Sequence, residues 1–225
     1  MKLSKITSIC TAFFLLFASL VGPGCGNSSE NLLLEIRKGE TYSIIEMGKH
    51  LSEVESGGGE FSKGDLAAID LLEEIVKTDP IVTNRMRAVA ALATLKKVNN
   101  TEIFIQCVHS DYWGVRWEGA KALAARPNPA AVPALIWMLK NEKEDIILLD
   151  VVKALAAVGD EASLVGLFTV YFDLTPRHKN NRMKAHEAIS RITGKSFPFE
   201  DVQTWVDYSK ERSVKGEQGS PEKKE

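Results

Sequence analysis

The chain has 225 residues, 44% hydrophobic and 26% charged, enough apolar content for one globular domain with a packed core. Its 28 basic and 30 acidic residues leave a net charge of −2, so no basic excess marks a nucleic-acid partner. Three cysteines build no disulfide framework at this length. Lys2 and Lys5 precede the apolar run "ITSICTAFFLLFASLV" over 6–21, and "GPGCGNSS" follows it. A positive start, a short apolar run and then small residues read as a secretory signal over 1–24. The run is shorter than the roughly 20 apolar residues of a membrane span, and Gly22-Pro23-Gly24 ends it. Export is therefore favoured over an uncleaved anchor. Losing Lys2 and Lys5 leaves 26 basic residues against 30 acidic ones in the mature chain.

Cys25 follows the small residue Gly24 at the end of that run. This resembles the lipobox of bacterial lipoproteins, in which the cysteine is lipidated and becomes the new N-terminus. Gly22 and Pro23 depart from the usual pattern, so ordinary signal-peptidase cleavage stays open. The polar "GNSSEN" after Cys25 suits a tether over 25–31, and Gly26 at the next position implies the outer membrane if the host is Gram-negative. Residues 32–79 read as an N-terminal cap unit made of "GETYSIIEMGKHLSEV" and "KGDLAAIDLLEEIVKT". Ile44, Ile45, Leu51, Leu66, Ile69, Leu72, Ile75 and Val76 supply its apolar stripes.

A repeat follows over 80–211. The segments "NRMRAVAAL" (84–92), "VRWEGAKAL" (115–123), "LLDVVKAL" (148–155) and "NRMKAHEAI" (181–189) align from their last residue. Ala91, Ala122, Ala154 and Ala188 share one column, and Leu92, Leu123, Leu155 and Ile189 the next. Met86, Trp117, Leu149 and Met183 form an apolar column. Arg85, Arg116 and Arg182 form a basic one, broken by Leu148. The steps are 31, 32 and 34 residues. Each unit continues into a second helical segment, as in Leu164, Leu167, Phe168 and Tyr171 at i, i+3, i+4 and i+7. Asn128-Pro129 places a cap before a first-turn proline. No run alternates over a strand's length, so no sheet is expected. A helix pair cannot bury its stripe alone, and stacked pairs bury it against each other. The fold class predicted is all-α, an α-solenoid of four to five helix pairs. "KSFPFEDVQTWVDYSKE" is expected to seal its C-terminal end, and 212–225 to be a disordered tail.

"DYWGVRWEGAKALAARPNPAAVPALIWML" (111–139) resembles the HEAT-like repeat of the kind first described in phycobiliprotein lyases. The shared features are Asp111, Val115-Arg116, Ala122-Leu123 and Val132-Pro133-Ala134-Leu135. The resemblance covers roughly 80–210 of this sequence. It implies that the arginines brace the turn from the preceding unit, with Asp111 and Arg116 as partners and Arg85 and Arg182 in the same role.

His186-Glu187 is similar to the pairs that bind two irons in the HEAT-like helices of deoxyhypusine hydroxylase. That family repeats the pair on several units. His50, His109 and His178 here are each followed by another residue type, so no metal and no cofactor is expected, with His186 and Glu187 the only candidates. Bilin-lyase activity is the other family precedent; its determinants form no short motif to map onto this chain, and export argues against it. No phosphate loop, nucleophile elbow or Cys/His arrangement appears, and Cys107 reads as an inert thiol. The expectation is a non-enzymatic scaffold in the cell envelope that binds unknown proteins through its second helices. Gln106, Trp137, Met138, Val170 and Phe172 are the candidate contacts. For Trp137 and Met138 two readings stand, exposure in a groove or packing on a neighbouring unit.

Overall fold

The computed structural model describes residues 28–175 and 178–218, the last six of these as backbone alone. The proposed signal and Cys25 lie outside them. Eleven α-helices run through the described residues: α1 Ser29–Arg37, α2 Ser43–Ser56, α3 Lys63–Thr78, α4 Val82–Ala93, α5 Thr101–Val108, α6 Trp113–Ala125, α7 Val132–Asn141, α8 Asp145–Val158, α9 Glu161–Tyr171, α10 Lys179–Thr193 and α11 Val202–Gln218. No strand occurs among the described residues. No helix there is long and apolar enough to cross a membrane.

The fold is an α-solenoid of two helix layers. In the first, α2, α4, α6, α8 and α10 each lie against the next. In the second, α3, α5, α7 and α9 do the same. The layers meet where α3 packs on α4, α5 on α6, α7 on α8 and α9 on α10. One continuous core runs between them. The Ala-Leu columns form its seam: Ala91, Ala122, Ala154 and Ala188 are buried, as are Leu92, Leu123, Leu155 and Ile189. The Met86 column differs. Met86, Trp117 and Leu149 are half-buried and Met183 is exposed, because that position faces along the layer rather than into the core. Close approach sets the layer spacing. A Cβ on Gly48 would lie 2.7 Å from Ala91 Cβ, and one on Gly119 would lie 2.7 Å from Cys107 Cβ.

Helix ends follow local chemistry. Ser62 and Asp65 form a capping box at the start of α3. Asp160 accepts from the Ser163 backbone at 2.7 Å and starts α9. Asn128 accepts from Ala130 N in a 3-10 turn, Pro129–Ala131, that leads into α7.

Three sequence expectations are corrected. The tether over 25–31 gives way to helix at Ser29, because Ser28 caps α1 and Leu32 is fully buried. α1 packs on α2 and α3 and closes the N-terminal end. The tail expected from 212 is helical to Gln218, and Arg212 is ion-paired with Glu161. Leu66 is 51% exposed rather than part of the stripe, since Asp65 beside it turns inward to cap the helix.

Candidate functional site

The arginine column acts on helix ends. Arg85 Nε donates to the Val76 carbonyl at 2.9 Å, and Arg182 Nε donates to the Tyr171 carbonyl at 2.9 Å. Arg116 Nη1 donates to the carbonyls of Ser110 and Asp111 at 3.0 and 3.1 Å. Arg85 and Arg182 thus serve carbonyls in the last turn of the preceding second-layer helix, and Arg116 serves the turn that follows α5. Asp111 partners Arg116 through its backbone carbonyl. The carboxylate partner of Arg116 is Glu142, at 2.7 and 3.2 Å in a two-pronged contact. Burial pushes the Glu142 carboxyl up, but the Arg116 fork and the Glu144 and Lys143 backbone donors bring it below its ordinary range.

His186 belongs to the C-terminal seal. Its Nε2 lies 2.9 Å from the Phe197 carbonyl, and its ring packs among Tyr171, Phe199 and Trp205 at centroid distances of 5.5 Å. Glu187 points outward and pairs with Lys184 at 2.8 Å. The two side chains therefore serve different surroundings. No group of three His, Cys, Asp or Glu side chains gathers in a metal-binding arrangement among the described residues. Cys107 is buried, and burial pushes its thiol up to about 12.

The candidate contacts of the second layer separate. Trp137 is 41% exposed and its ring lies 4.4 Å from that of His109. Gln106 is also exposed. Met138 is 1% exposed, which corrects its placement in a groove: it points between the layers with Val132 and Leu135. Val170 and Phe172 are half-buried against the core, and Phe172 stacks on Phe168 at 5.5 Å. Gln106 and Trp137 remain as surface from that set.

The first layer carries features that sequence reasoning missed. A groove of about 670 Å3 runs between α2 and α4 toward α6, with Ile45, Gly48, Ser52, Met86, Ala90 and Thr94 on its surface. Lys49, Glu53, Arg87 and Glu118 are its charged groups. A smaller groove of about 260 Å3 lies between α8 and α10. The signal was present as small residues beside the core stripe of α4. Pattern alone does not separate a small residue that faces a neighbour from one that floors an open trough.

Residues 101–171, which span α5 to α9, match the family model for HEAT repeats. No curated protein and no solved structure matches the chain. Match and architecture together make these units HEAT-like helix pairs of an α-solenoid.

Proposed function

We propose that this chain is an exported, lipid-anchored scaffold that binds other proteins in the bacterial cell envelope, and that it is not an enzyme. HEAT repeats suggest a protein-interaction role in general. The exposed Trp137, seated against His109 on the second layer, carries the reading for this chain. A large amphipathic ring held at low entropy cost is the side chain most often found at the energetic centre of an interface. Export and anchoring rest on Lys2, Lys5, the apolar run over 6–21 and Cys25.

Crosslinking in intact cells tests the binding surface. Trp137→Ala with His109→Ala is expected to remove the crosslinked partners while the melting temperature stays within a few degrees. Undiminished crosslinking refutes the Trp137 surface. A palmitate label is expected on the wild type and absent from Cys25→Ser, and a label that survives refutes the anchor. Stoichiometric iron or zinc in the purified chain, lost on His186→Ala, would overturn the non-enzymatic reading.

A further inference from the structure

The groove on the first layer lies on a different face from Trp137 and is not used by any contact described above. From Ile45 to Ser52 its α2 wall is about 10 Å long, two helical turns. Its floor is low because Gly48 lets α2 and α4 come together and because Ser52, Ala90 and Thr94 are short. Ile45 and Met86 are the large apolar groups along it, and Met adapts its shape to what it meets. The helices around the groove offer no free row of backbone donors and acceptors, so an added strand would find nothing to pair with. A helix, which satisfies its own backbone, meets no such cost. The trough is also open, whereas pockets for small ligands bury most of the ligand surface.

The charges choose among helices. Lys49 is held by Glu46 at 2.7 Å, and Glu118 is held by Lys121 at 3.0 Å. Glu53 is exposed at the rim, in water. Arg87 is half-buried, and among the described residues it makes no hydrogen bond or ion pair. A partly desolvated guanidinium with its donors free is the complement of a carboxylate, which it grips with two parallel hydrogen bonds.

We propose that the α2/α4 groove seats an amphipathic helix of a partner protein, with apolar side chains over Gly48 and Ala90 and an Asp or Glu on Arg87. This rests on the scaffold reading but not on the Trp137 surface, so the substitutions that test one leave the other intact.

The test pans a phage library of helix-patterned peptides, roughly 16 residues or 24 Å long, on the full-length chain. Enriched peptides are expected to carry apolar residues at i, i+4 and i+7 flanked by an acid. Affinity of the best peptide, read by fluorescence anisotropy, is expected to fall roughly tenfold or more on Arg87→Glu. It should return when the acid of the peptide is exchanged for Arg. Ala90→Leu should abolish binding without changing the circular-dichroism melt, since Ala90 is exposed. No enrichment, enrichment without an acid, or affinity indifferent to both substitutions overturns the proposal. So does displacement of the peptide by micromolar dodecanoate, which would make a small carboxylate the occupant. An Arg87-dependent dimer in sedimentation would make the occupant a second copy, and overturns it as well.

Discussion

Glu55 shows what one buried carboxylate does here. It sits in the last turn of α2, and its two oxygens accept from the backbone N–H of Lys96 and Lys97, each at 2.6 Å, in the turn after α4. Burial alone pushes its carboxyl up. The two backbone donors, with Lys97 and Arg126 nearby, more than offset this and hold it below its ordinary value. Glu55→Ala strands both N–H groups, and we expect a loss of about 2–3 kcal/mol in urea unfolding. Asp65, Glu142 and Glu161 are also held low, and Asp173 is lowered to about 2 by Thr175 and His178. An unfolded chain returns these groups to about 4. It then binds more protons than the native state as pH falls, so stability falls with it. Stability should be level above about pH 5 and drop steadily toward pH 2. A urea midpoint at pH 3 equal to that at pH 7 would contradict this.

At the scale of the element, the repeat is a rule about helix ends. Arg85 and Arg182 reach back to carbonyls in the last turn of the preceding second-layer helix, and Arg116 reaches back to the turn just after it. Arg116 also reaches forward to Glu142 after α7, so one side chain joins three successive segments. Arg116→Ala is expected to cost about 2–3 kcal/mol. Arg116→Lys should recover less than half of it, because an ammonium cannot serve Glu142 and two carbonyls with one planar fork. Full rescue by Lys, read as a restored urea midpoint, would show that charge alone matters. The resemblance to the HEAT-like repeat implied the bracing role, and the arginine column itself was legible in the sequence because it recurs at a fixed place in the repeat. The partner was not. Glu142 lies 26 residues from Arg116 and outside every aligned column. The same limit separates Leu164, Leu167 and Phe168, whose spacing placed them in the core, from Met138. One turn position decided that Met138 points inward and Trp137 outward. Periodicity locates a stripe, and a side chain at the edge of the stripe is assigned only by the helix it meets.

Across the whole molecule, each unit touches only its neighbours, so stability passes along the chain through interfaces and the two ends need separate closure. α1 supplies the first closure with Leu32. The second is aromatic. Trp205 of α11 is fully buried and meets Phe168, Tyr171, His186, Phe197 and Tyr208 at centroid distances between 4.8 and 6.2 Å. Tyr171 Oη donates to the Phe199 carbonyl at 2.7 Å, which holds the segment before α11 against α9. Trp205→Ala removes the ring at the centre and should cost about 3–5 kcal/mol of local stability. Where that loss appears is the sharper prediction. In a solenoid coupled only through nearest neighbours, the last interface opens without the first. Amide hydrogen exchange should therefore speed up in α9, α10 and α11, while α2, α3 and α4 keep most of their protection. An equal loss of protection from α2 to α11 would mean that the continuous core makes the whole chain one cooperative unit, and the seal would then support every repeat rather than the last.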